Sequence, residues 1–152
     1  MKRMTAALGL LLTVFAVPAL AGDSFTLKAS GAQTGAAQGS LVEAGAYRVL
    51  HIAVNVTAGS GTVNPFRIWL EGSPNNGTDW YEIPCYGVLK AGATAPGAAN
   101  STLQRDIVNE AAVVTSQKYV ATCELYFTQV RAAWNIAGST PSETFSVVAL
   151  GK

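Results

Sequence analysis

Charge is scarce in this chain: Asp, Glu, Lys and Arg make up 12% of its 152 residues, about half the ~25% of an average soluble domain. There is one histidine, His51, and there are two cysteines. The ten basic and nine acidic residues nearly cancel, so no basic surface argues for nucleic acid. No Gly-x-Ser-x-Gly elbow, phosphate-binding glycine loop or zinc-ligand spacing occurs. After residue 21 no stretch has the 3.6-residue apolar period of a three-turn helix. Neither a metal site nor a cofactor is expected.

What is present begins with a basic start, Lys2 and Arg3, an apolar run from Ala6 to Val17, and Ala19-Leu20-Ala21 ahead of Gly22. This is the pattern of a secretory signal peptide with an Ala-x-Ala site, predicting cleavage after Ala21. A retained anchor and a buried amino-terminal arm are the competing readings, and the run is shorter than the ~20 residues of a spanning helix. Residues 1–21 are therefore read as a signal-like segment and residues 22–152 as one domain, with no membrane contact after cleavage. Export also places Cys85 and Cys123 where disulfides persist. Each falls on the apolar face of a strand-like run, with Tyr81 and Ile83 in one and Tyr119 and Ala121 in the other. A single bridge is expected, stabilising by roughly 3 to 4 kcal/mol through loop closure.

Alternation of period two dominates the rest. Leu50, Ile52, Val54 and Val56 share one face of a strand over 47–57 and His51, Ala53 and Asn55 the other; Phe66, Ile68 and Leu70 point inward over 66–71, with Arg67, Trp69 and Glu71 outward. The Gly59-Ser60-Gly61 turn between them predicts a hairpin. Ser73 to Asp79 is turn-forming throughout, and residues 80–86 run on as a strand. Residues 87–102 lack periodicity and read as a long loop. Short strands are expected at 24–29, 103–108 and 111–114, and opposite parity in 119–125 and 127–136 demands a turn or a bulge near Leu125 to Phe127. The close of the chain reads as a second hairpin: Val130, Ala132, Trp134 and Ile136 on one strand, Phe145, Val147 and Ala149 on the other, around Gly138-Ser139-Thr140-Pro141-Ser142. Eight to ten such strands predict an all-β fold, an antiparallel β-sandwich of jelly-roll-like character.

Chemistry has few candidates. His51 lies on a polar strand face with no nucleophile motif to serve, so a solvated or interface histidine is the favoured reading over a catalytic base. The carboxylates Glu71, Glu82 and Glu143 fall on polar faces, and Asn75, Asn76 and Asp79 suffice to make a turn without calcium. The protein is not expected to be an enzyme. Its candidate binding residues are the outward Arg67, Trp69 and Glu71, extended by Trp80 and Tyr81 near the turn and Tyr86 at the loop mouth. An outward tryptophan stacks on a sugar ring or anchors a protein interface; cover by residues 87–102 is the bland alternative.

The strands over 46–83 and 126–150, with Ser60-Gly61-Thr62, Phe66-Arg67-Ile68-Trp69-Leu70, Ser73-Pro74-Asn75-Asn76-Gly77 and the closing Val130, Arg131, Trp134, Gly138, Pro141, Ser142, Phe145, Ser146 and Val147, resemble small β-sandwich accessory proteins of tailed bacteriophages and prophages. Asn75-Asn76-Gly77 stands where Asp-Gly is usual in that group. The resemblance implies a non-catalytic virion component, decoration or tail-associated, with protein partners and a homo-oligomer or larger assembly. The matched residues are turn and core positions, which carry fold more securely than function. The signal-like segment departs from the group and points to an extracellular or periplasmic location, against the virion implied by the resemblance. A secreted glycan-binding module or adhesin subunit is the alternative function, and a hydrolase using His51 or paired carboxylates the least supported.

Overall fold

A computed structural model describes residues 22–91 and 103–152, so the signal-like segment and most of the expected loop lie outside the described residues. All regular structure in it is β. The elements are β1 (Ser24–Gln33), β2 (Ala37–Gln38), β3 (Val42–Glu43), β4 (Val49–Ser73), β5 (Tyr81–Ile83), β6 (Cys85–Lys90), β7 (Asp106–Glu110), β8 (Gln117–Glu124) and β9 (Gln129–Gly151).

Two strands organise the rest. β4 runs 25 residues and β9 runs 23, and they pair antiparallel from Leu50 opposite Gly151 to Ser73 opposite Gln129. Within this ribbon Phe66 lies opposite Ile136, and Phe145 opposite Val56. Ten residues of straight strand would separate those levels by about 33 Å. The Phe66 and Phe145 rings are instead 5.5 Å apart, and Trp134 meets Phe145 edge-on at 5.4 Å. The ribbon is folded back on itself, making one continuous sheet into the two layers of a sandwich.

The first layer takes the start of β4 and the end of β9, flanked by β1 on the β9 side and by β8 and then β6 on the β4 side. The second takes the end of β4 and the start of β9, flanked by β2 and β3 on one edge and by β5 and β7, end to end, on the other. Their inner faces carry the alternation read from sequence: Leu50, Ile52, Val54, Val56, Phe66, Ile68, Leu70, Val130, Ala132, Trp134, Ile136, Phe145, Val147 and Ala149 are all buried.

Both expected hairpins are corrected by this pairing. Residues 49–57 do not pair with 66–71, nor 130–136 with 145–149; each segment pairs with the corresponding part of the other long strand. The two turn-like clusters stand at one level of the ribbon, Gly59 opposite Glu143, Ser60 opposite Ser142, Thr62 opposite Ser139 and Val63 opposite Gly138. Register shifts after Val56, Ser60 and Val63 mark bulges there, and bulges with small residues bend a strand without ending it. Gly61 and Gly138 have φ of +78° and +139°. A Cβ on Gly138 would lie 1.8 Å from the Thr62 carbonyl oxygen.

Smaller differences follow from single residues. The run over 80–86 is divided at Pro84 into β5 and β6, because proline has no N–H for a ladder. β6 continues to Lys90, into the segment read as loop, and β7 runs through Asn109 and Glu110, while 111–114 is not strand. At Leu125 to Phe127, where a turn or a bulge is expected, the chain leaves the ladder between the end of β8 and the start of β9. Cys85 and Cys123 are register partners on β6 and β8 and form the disulfide. It closes a loop of sequence separation 38, which the chain-entropy relation values at about 4 kcal/mol.

Replacing Gly138 by alanine is expected to destabilise the protein by about 3 kcal/mol or more, since the new methyl meets backbone at the corner and the φ is forbidden to it. Urea unfolding followed by tryptophan fluorescence measures this; a loss under about 1 kcal/mol would show that the corner relaxes freely.

Candidate functional site

On the outer face of the second layer, β4 presents Arg67, Trp69 and Glu71 at alternate positions, as the period-two reading requires. The structure places all three half-buried rather than bare. Arg67 donates through Nε and Nη2 to Asp106 Oδ2 at 2.9 and 2.6 Å. Trp69 Nε1 donates to Glu71 Oε1 at 3.1 Å, and Arg131, opposite Glu71 on β9, donates through Nε to Glu71 Oε2 at 2.7 Å. The Arg131 guanidinium lies 3.8 Å from the Trp80 ring centroid, and that of Arg105 lies 5.0 Å from Trp69 while bonding Glu82 at 2.5 Å. Glu71 and Glu82 face each other directly across β4 and β5. Their mutual repulsion is met by one arginine each.

Of the six candidate binding residues, Arg67, Trp69, Glu71 and Trp80 are thus brought into one network. Tyr81 is apart, opposite Gly72 on the other side of the sheet and stacked 6.1 Å from Phe127. Tyr86 lies in the first layer, opposite Thr122. Arg131 was legible as an outward residue of its strand, whereas Glu82 and the adjacent Arg105 and Asp106 gave no sign of convergence because they come from two segments separated in sequence from each other and from β4. Trp80 is fixed by its Nε1 bond to the Gly77 carbonyl at 2.9 Å. The turn before it is made by Ser73, Asn75 and Asp79 bonding one another and local backbone N–H groups.

The outer face of the first layer is different in kind. Registers place Leu150, His51, Thr122 and Tyr86 side by side in one row, and Val148, Ala53, Val120 and Leu89 in the next. Leu89, Val120 and Leu150 are 40%, 44% and 37% exposed. A shallow groove of about 340 Å³ runs between these residues. His51 Nδ1 lies 3.2 Å from Thr122 Oγ1, and no group of three metal-binding side chains occurs among the described residues. The apolar row was missed in the sequence because its members sit on the less hydrophobic side of strands whose other face is wholly apolar.

Two charged groups lie inside the sandwich. Lys28, 6% exposed, donates to the carbonyls of Ala29, Gly31 and Phe145 at 2.9, 3.1 and 2.9 Å, with its ammonium 4.3 Å from the Phe145 ring centroid. Burial lowers its pKa. It pins the bulge between Lys28 and Gly31, beside an open cavity of about 500 Å³ that Trp134 also lines. Glu143 is fully buried at the corner, where Oε1 accepts from the Val114 N–H at 2.9 Å. Burial raises its pKa, and that bond only partly offsets it. Near it Glu110 accepts from Lys90 and Tyr119; burial opposes its ionisation, but these two donors outweigh it and hold its pKa below the ordinary value. Tyr119 is pushed far upward by burial and by Glu110.

No protein-family model matches the chain, and no curated protein matches it. Among solved structures it is similar to the crystal structure of SPBc2 prophage-derived protein YomS, with a TM-score of 0.45 and 14% identity over 85% of this chain and 92% of that one. A likeness of that size carries no inference about what this chain does. No helix among the described residues is long and apolar enough to cross a membrane.

Glu71→Ala strands Arg131 and the Trp69 Nε1–H, and an unfolding midpoint shift worth about 1 to 2 kcal/mol is expected; no shift would mark the network as energetically idle. Glu143 gives a pH signature. Because its folded pKa is raised above the unfolded value, the folded state holds the proton more tightly, and stability from this group is full at acid pH and falls as pH rises above about 4.5 toward the folded pKa. Glu143→Gln keeps the acceptor for Val114 and should flatten that part of the stability profile; an unchanged profile would assign the slope to other groups.

Proposed function

We propose that this protein is a non-catalytic structural β-sandwich, an accessory component of a phage-type particle or a related extracellular assembly, acting in assembly or surface attachment as a decoration or tail-associated subunit. The observation that carries this reading is the outer face of the first layer, two rows of uncharged side chains with Leu89, Val120 and Leu150 exposed. Contiguous apolar surface of this kind marks an interaction site. Supporting it are the turn and core positions shared with phage accessory proteins and a low charge content suited to a chain covered by partners. The disulfide fits a location outside a reducing cytoplasm, whether exported or on a particle. His51, bonded to a threonine and flanked by apolar strands, supports an interface role rather than that of a base.

The glycan-binding alternative has less behind it, because guanidinium groups already occupy ring faces of Trp69 and Trp80. The deciding experiment is gradient sedimentation of particles from the producing cells, with mass spectrometry of the particle fraction. The protein is expected to co-sediment with particles in fixed proportion to their major subunit. Recovery only as free protein at the top of the gradient overturns the reading.

A further inference from the structure

The apolar face has a charge pattern that specifies what covers it. Val148, Ala53, Val120 and Leu89 form an unbroken row across the four strands β9, β4, β8 and β6. On β8 the outward positions run Lys118, Val120, Thr122, Glu124, so the row is bounded by a cation three residues before Ala121 and an anion three residues after it. Both are exposed. Glu124 accepts from the Tyr126 hydroxyl at 2.7 Å, and Lys118 makes no side-chain ion pair among the described residues.

We propose that this face binds a second copy of the chain, sheet to sheet, about a two-fold axis that lies in the interface and crosses the strands at the level of Ala121. That operation lays β8 antiparallel over its own copy. Lys118 then meets Glu124 of the second copy, and the same contact recurs on the other side of the axis. The central rows exchange, so Val120 lies over Thr122 and Val148 over Leu150 of the second copy. An isologous contact has to be self-complementary in this way. The placement of opposite charges at equal distances either side of an apolar centre satisfies that requirement, whereas an unrelated partner imposes no such symmetry. Extent agrees as well: five strands about 4.8 Å apart and about seven residues long give roughly 600 Å² per copy, and the ~1,200 Å² total is the lower bound for a specific interface. A face at this lower bound belongs to the size class of weak, reversible contacts.

This inference rests on the assembly reading and names its partner, yet the two fail separately. A protein that dimerises in solution but never joins a particle keeps the dimer and loses the proposed function; one that joins particles as a monomer does the reverse. The test is sedimentation velocity of the oxidised protein between about 1 and about 100 µM, where a reversible dimer is expected. Val120→Glu, an exposed position that leaves the core untouched, should raise the Kd at least ~100-fold. Lys118→Glu and Glu124→Lys should each raise it about tenfold by creating two like-charge contacts, and the double exchange should restore it to within about threefold. Near-UV circular dichroism verifies that each variant is folded. A wild-type monomer at the highest concentration, a Kd unmoved by Val120→Glu, or a double exchange no better than the single ones overturns the proposal.

Discussion

Everything in this fold depends on the folding back of one two-stranded ribbon. β4 and β9 are long because neither ends at the corner, and the sandwich core exists because the ribbon bends there. A bend in a hydrogen-bonded ribbon needs both strands to yield at the same level. Gly59, Ser60 and Gly61 on one side, and Gly138 to Ser142 on the other, supply that on facing segments. The aromatic cluster of Phe66, Trp134 and Phe145 then fills the space between the two halves. Lys28 closes this cluster from the β1 edge, with its charge held by three carbonyls and an aromatic face.

The same residues explain what the sequence could reveal. Period-two alternation identified nearly every inward side chain of the long strands, because a side chain's face is decided locally by the pleat. Strand connectivity is not local. Gly-Ser-Gly and Gly-Ser-Thr-Pro-Ser carry the same composition whether they reverse a chain or bend two chains together, and only their opposition across the ribbon distinguishes the cases. Cys85 and Cys123 were legible as a pair because both lay on apolar faces. Trp69 was legible as outward, but not as covered by Arg105, a residue from a distant segment of the chain whose pairing with β4 no local pattern reveals.

The two outer faces show contrasting ways of finishing a sheet surface. The second layer surrounds two tryptophans with arginines and carboxylates contributed by β4, β5, β7, β9 and the residue preceding β7. Each charge there has a partner within the same chain. The first layer has almost no charge and satisfies little of its apolar surface internally. Lys118 and Glu124, which make no ion pair among the described residues, flank the bare face.

The order of elements along the chain has a kinetic consequence. β1, β2, β3 and most of β4 take their principal partner from β9, the last strand of the chain. Their pairing is of very high sequence separation, so its loop-closure cost falls due before any reward. During synthesis from the amino terminus the first strands remain without a sheet to join until residues 129–151 have emerged. β1, β2 and β3 therefore stay unpaired until β9 arrives, whereas β4 meets β5, β7 and β8 earlier, and the first layer can begin from its β4–β8–β6 side.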